Sequence, residues 1–154
     1  MLRSCAVGLV MCHLLYFTNT AVRIADADAD FPPPADGSVL NRNLHACAVG
    51  KLLLAEKRDV DALLTSPLGA LTQRTVTSRA ALAEQLDPIR DQGVAAQTGE
   101  LRGGTACVAV PVRAPAGALV AALAMSGRAD QDALLQRQIW SNARPGSARC
   151  SPEF

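Results

Sequence analysis

The sequence predicts an α+β domain: an antiparallel sheet with helices packed beside it. Three observations lead there. Apolar runs of strand length lie near the N-terminus and in the last third of the chain. Two segments between them repeat apolar residues at helical spacing. The two last runs, residues 106–112 (ACVAVPV) and 118–126 (ALVAALAMS), are joined by Ala114-Pro115-Ala116-Gly117, a turn that makes them a hairpin. At 154 residues the chain has room for a single core.

Taken in order, residues 7–11 and 14–18 read as strands and 22–25 as a third, together the N-terminal strands of the domain (1–25). Residues 1–17 also have the outline of a secretory leader, with Arg3 ahead of an apolar run broken only by His13. The small-x-small cleavage site is poor, Met11 spoils a lipoprotein reading at Cys12, and the run is too short to span a bilayer, so a buried strand or strand pair is the preferred reading. Residues 26–43 are expected to be an acidic and Pro-rich loop, because alternating Asp and Ala followed by three prolines cannot pack. The main body is placed at 44–142.

Residues 45–56 (HACAVGKLLLAE) form a helix with a wide apolar face, through Ala46, Val49, Leu52 and Leu53. Gly50 inside it costs about 1 kcal/mol relative to Ala, so another element or a ligand should approach that backbone closely. Residues 59–64 form a short helix with Asp59 as N-cap. Thr77 or Ser78 caps the next helix, in which Leu82, Leu86 and Ile89 repeat, Pro88 introduces a bend and Gly93 ends it. Residues 94–97 are a short strand before the hairpin. Asp130 caps a closing helix that runs through Trp140, with Pro145 beyond it, and 143–154 are a disordered tail.

Composition narrows the function. Fifteen Lys and Arg against 14 Asp and Glu give a net charge of +1, and a nucleic-acid surface needs a clustered basic excess. Arg outnumbers Lys 13 to 2 in an Ala-rich chain, the bias of GC-rich bacterial coding. The five cysteines (5, 12, 47, 107, 150) are odd in number and contain no CxxC, which favours reduced thiols and a cytoplasmic location. No GxSxG, HExxH, Walker loop or dinucleotide fingerprint is present. His45 with Cys107 is a conceivable base and nucleophile, and His45, Cys47 and Cys107 a conceivable metal set, but the spacing supports neither over buried core residues, and no cofactor or metal is expected.

The order HACAVGKLLLA (45–55), LTQRTVTSRAALAEQLDPIRDQG (71–93), GELRGGTACVAVPV (99–112) and ALVAALAMSG (118–127) resembles the effector-binding domain of the isocitrate-lyase-regulator (IclR) family of bacterial transcription factors. The resemblance covers residues 44–127. It implies a GAF-like curved antiparallel sheet flanked by helices, holding a small organic acid or aromatic metabolite between a helix start and the sheet. Carried over position by position, it implies backbone contacts from Ala48, Val49 and Gly50. Gln97, Glu100, Thr105, Cys107, Ala124 and Ser126 are the implied lining. Gln97 stands where the family often has Asp and Ala124 where it often has Ser, so a less polar pocket is expected.

The implied function is a small-molecule sensor, without catalysis, that works as a homo-oligomer, a dimer or tetramer, away from membranes. The sensor domain, with its N-terminal strands, is read as beginning almost at Met1, with no winged helix-turn-helix ahead of it. The expectation is therefore a truncated or mis-started frame or a lone sensor, which meets DNA only if a longer chain supplies that domain. The alternatives are a Cys-dependent small hydrolase and a non-sensing oligomerisation module.

Overall fold

The computed structural model describes residues 11–18, 20–27, 37–64 and 67–143. Five strands form one antiparallel sheet: β1 (Met11–Phe17), β2 (Val22–Ala27), β3 (Ala95–Thr98), β4 (Thr105–Arg113) and β5 (Leu119–Arg128), in the order β2-β1-β5-β4-β3. The helices are α1 (Gly37–Arg42), α2 (Ala48–Ala55), α3 (Arg79–Gln92) and α4 (Asp132–Ala143). The architecture is the α+β sheet with flanking helices that the sequence predicts.

Both faces of the sheet are covered. On one, Leu15, Val22, Ala95, Ala109, Ala122 and Ala124 pack against α2 and, beyond it, Leu82, Leu86 and Ile89 of α3. On the other, Ala106, Val108, Val110 and Met125 pack against Leu135 and Ile139 of α4. The small residues follow from this arrangement. Successive residues of β4 and β5 point to opposite faces, and Ala at 109, 122 and 124 lets α2 lie close.

The local signals explain most of the boundaries. Ser78 caps α3 by accepting the amide of Ala81 at 3.1 Å. Gly93 closes the helix in the left-handed conformation, φ 70°, with its N–H on the Ile89 carbonyl. Pro88 sits on the exposed side of α3, and Glu84, whose carbonyl it leaves without a helical donor, is an exposed residue. In the hairpin, Gly117 (φ 92°) donates to the Ala114 carbonyl at 2.8 Å, and Ala118 accepts from Ala114 at 2.9 Å.

Several expectations need correction. Residues 14–18 do not start a strand of their own: β1 begins at Met11 and runs unbroken through His13, because it pairs with β5 from Met11 to Tyr16. Most of the strand read at 7–11 lies outside the described residues. The stretch 26–43 is not loop throughout. β2 continues to Ala27, and α1 occupies Gly37–Arg42, where Asn41 fastens the helix to the sheet by bonding both the N–H and the carbonyl of Val22 at 2.8 Å. The helix placed at 45–56 starts later. Leu44–Ala46 is a 3-10 turn, Cys47 is extended, and α2 begins at Ala48.

The short helix at 59–64 is a 3-10 turn, Asp61–Leu63, with the Asp59 carboxylate accepting the Asp61 amide. Asp130 lies in a 3-10 turn and does not cap α4, which begins at Asp132 and ends at Ala143. The tail lies outside the described residues from 144 onward.

Candidate functional site

A cavity of about 40 Å³ lies between the start of α2 and the sheet. The extended backbone at Cys47 turns the chain from the 3-10 segment into α2, and residues 47–49 form one wall. The floor comes from every strand: Ile24 of β2, His13 and Leu15 of β1, Ala124 and Ser126 of β5, Thr105 and Cys107 of β4, and Gln97 of β3. Register brings these together. Gln97 pairs with Cys107 and Cys107 with Ser126, while His13 pairs with Ala124, one step away on the same face. Leu40 of α1, Leu101 and Ala106 complete the lining.

Of the residues predicted for the site, Ala48, Val49, Gln97, Thr105, Cys107, Ala124 and Ser126 line this cavity. Gly50 and Glu100 do not. Gly50 is needed because the preceding turn packs on it: an added Cβ would lie 2.6 Å from the Leu44 Cα and 2.8 Å from the Cys47 sulfur. The element that approaches this backbone is therefore the chain itself. Glu100 points away into a buried ion pair, its Oε2 2.7 Å from the Lys51 Nζ, with Lys51 1% and Glu100 7% exposed. A charge pair at that depth holds only because each partner offsets the other's lost hydration. It pins α2 to the loop after β3.

The same loop is gripped from the other side. The Thr75 hydroxyl donates to the Glu100 carbonyl at 2.6 Å and accepts the amides of Leu71 and Thr72. The Thr72 hydroxyl donates to the Gly99 carbonyl. The role of the Leu-Thr-x-x-Thr segment is thus to fix the loop that carries Glu100 and Leu101. Within it, the Gln97 amide oxygen accepts from Glu100 N at 3.0 Å and from Leu101 N at 3.4 Å. Two backbone donors on one oxygen settle which end of the amide is which, and leave its NH₂ as the donor.

The chemistry of the wall is neutral. Burial pushes the Cys47 thiol up to about 12. Cys107 is pushed up to about 11 by burial, against a hydrogen bond from Ser126. Both are therefore protonated at neutral pH, the reverse of an activated nucleophile. His45 is turned elsewhere, its Nε2 2.8 Å from the Gly69 carbonyl. The Cys107–His45 couple is not formed, and among the described residues no three His, Cys, Asp or Glu side chains gather as a metal site.

What the helix start supplies is amide donors. Among the described residues no acceptor takes the amides of Ala48 and Val49. No helix there is long and apolar enough to cross a membrane.

Sequence reasoning left out His13, Leu15, Ile24, Leu40, Cys47, Leu101 and Ala106 as lining residues. Only His13 had a visible signal, as the one polar interruption of an apolar strand.

The comparisons with known proteins concern the family and the fold. The family described as "Bacterial transcriptional regulator IclR C-terminal" matches residues 37–138. The HTH-type transcriptional regulator BhcR of Paracoccus denitrificans (strain Pd 1222) is 33% identical over 124 residues, 79% of this chain and 43% of BhcR, so the chain spans less than half the length of that relative. Among solved structures, an IclR transcriptional regulator from Silicibacter sp. TM1040 superposes with a TM-score of 0.69 at 27% identity, over 84% of this chain and 53% of that one. The inducer-binding domain of the PobR transcription factor from Acinetobacter, in complex with 3-hydroxybenzoic acid, superposes with a TM-score of 0.68 at 23% identity, covering 87% and 82%. The chain belongs to the IclR family of bacterial transcriptional regulators and corresponds to its C-terminal domain.

Proposed function

We propose that this domain is the effector sensor of an IclR-type regulator, is not an enzyme, and takes a small carboxylic acid in the cavity under α2. The observation that carries the reading is the pair of uncommitted amides, Ala48 and Val49, at a helix start that borders a partly open, mostly apolar cavity. Backbone donors and the helix dipole together favour an anionic group there. The Gln97 NH₂ and the hydroxyls of Thr105 and Ser126 supply further hydrogen bonds, and Cys107 and Ala124 supply contact surface. Gly50 and Glu100 act in support, holding α2 to its neighbours.

Signal follows from size. The free cavity has space for only a few water-sized groups. An acid of metabolite size must part α2 and α1 from the sheet, and it binds better to the opened arrangement. That differential affinity shifts the population of the domain and is passed to a dimer or tetramer of sensor domains. Contact with DNA belongs to a helix-turn-helix domain supplied by a longer chain.

The test is calorimetry with short aliphatic acids and monohydroxybenzoates, each against its neutral amide; the PobR complex makes hydroxybenzoates natural first probes. The expected result is saturable binding of acids and none of amides. Absence of binding by every acid to the folded protein overturns the reading.

A further inference from the structure

His13 is 3% exposed, lines the cavity, and has no hydrogen-bond partner among the described residues on either ring nitrogen. A buried polar group left unsatisfied is costly, and native proteins retain one where another role requires it. Packing does not require it, since its neighbours on the floor are Leu15, Ile24 and Ala124. Among the described residues, the other buried side-chain atoms without a hydrogen bond are on Gln85, Glu100 and Arg79, the last 3.2 Å from the Asp61 carboxylate, and all belong to residues outside the cavity. The imidazole is in its neutral form, because burial lowers its pKa. The other titratable side chains lining the cavity are the protonated thiols of Cys47 and Cys107. A neutral imidazole offers one donor and one acceptor, and a hydroxyl group answers both.

Placement gives the imidazole its end of the ligand. α2 makes most of its sheet contacts with β4 and β3 and fewer with β5 and β2, whereas His13 stands on β1, between β2 and β5. The start of α2 and the imidazole thus border the cavity from different elements, wall and floor, and a ligand that fills it can meet one with its acid group and the other with a second polar group.

We infer that His13 determines effector specificity. It selects monocarboxylic acids that carry a hydroxyl or carbonyl group at the end remote from the acid, over the parent acids that lack it and over dicarboxylates. A second carboxylate would enter an apolar wall without a counter-charge. The inference rests on the sensor reading above, and its test separates the two.

Calorimetry on the wild-type chain compares 4-hydroxybenzoate with benzoate and terephthalate, and 4-hydroxybutanoate with butanoate and succinate. The hydroxy acid of at least one series should bind about fivefold to tenfold tighter than its parent, the worth of one neutral hydrogen bond, and the dicarboxylates more weakly still. In His13→Leu the preference should vanish while the parent acid binds at least as well. The melting temperature of the free variant should rise by about 3 °C as the unsatisfied group is removed. His13→Gln, which keeps a donor and an acceptor, should retain part of the preference. The ring nitrogens of His13, followed by ¹⁵N NMR in the wild type, should shift with the hydroxy acids and not with the parents, a readout that survives even if a variant fails to fold.

Equal binding of parent and hydroxy acid, a preference that persists in His13→Leu, or ring signals that do not move overturns the role of His13 and leaves the sensor reading standing. Dicarboxylates that bind most tightly, and more so as pH falls, overturn it in favour of an imidazolium that pairs with an anion. Failure of every acid to bind overturns the sensor reading and this inference with it.

Discussion

On the face of the sheet covered by α4, Val108, Val110 and Met125 meet Leu135 and Ile139, and the contact is apolar throughout. On the face covered by α2, the same strands place Gln97, Cys107, Ser126 and His13 among alanines and leucines, and leave a cavity. Both sides bury residues, yet among the described residues it is the α2 side that holds an imidazole, His13, with neither ring nitrogen satisfied by the packing. The α4 face shows what this sheet does when stability alone governs. The departure on the α2 face is what the proposed binding role requires, at a cost in stability that the other face does not bear. α2 itself is buried from Ala48 through Leu54, charge included. Its position is held by an ion pair and a glycine contact as well as by its apolar side chains.

The contrast can be strained first at α2. Lys51→Met should destabilise by about 3–5 kcal/mol in chemical denaturation, because the Glu100 carboxylate is then buried without its partner. Adding Glu100→Leu should recover much of that loss, showing that the cost lies in the orphaned charge. A loss below about 1 kcal/mol for the single variant would mean that α2 is not pinned by this pair.

On the other face, Leu135→Ala should cost about 3 kcal/mol through the cavity it opens against Val108 and Met125. Its effect on acid binding by the folded protein should be negligible by calorimetry. Ser126→Ala should do the opposite. Stability should change by about 1 kcal/mol or less, whereas affinity for a bound acid should drop about fivefold, the value of one hydrogen bond. If both variants changed stability and affinity in parallel, the two faces would not be functionally distinct.

The smallest effects are in pH. Burial lowers the pKa of His13 from its ordinary value of 6.5, so at mildly acid pH the unfolded chain binds a proton that the folded chain refuses. Stability is then full above pH 6.5 and falls as pH drops below it. The thiols act at the other end. Unfolded, they release protons near 9.0; folded, Cys47 and Cys107 hold theirs to about 12 and about 11. Stability is therefore full below pH 9 and declines as pH rises beyond it. Denaturation midpoints across pH 5–10 should show a plateau with both shoulders, and His13→Leu should flatten the acid one.

Much of this was legible in the residues. Ser78 and Gly93 bound α3 as their side chains and backbone freedom require, and the Ala114–Gly117 turn sets the register of β4 on β5. Those signals are local, and local chemistry sufficed. The two failures at the site are long-range. Nothing in the sequence around Glu100 reveals that Lys51, 49 residues away, takes its carboxylate out of the cavity wall. Nothing around Gly50 says that its close neighbour is the Leu44 turn and not a ligand. His13 was visible only as a blemish in an apolar strand, until the pairing of β1 with β5 brought it opposite Ala124.

By itself the sequence determined the α+β class, most caps and turns, the family, and half of the residues of the cavity lining, because propensity, periodicity and ordered motifs are properties of neighbours along the chain. Only the tertiary structure decided which polar groups face the cavity and which are spent on each other. Whether a carboxylate, an imidazole or a thiol is paired depends on what lies across the core, and that distance is set by how α2 and β1 pack on the shared sheet.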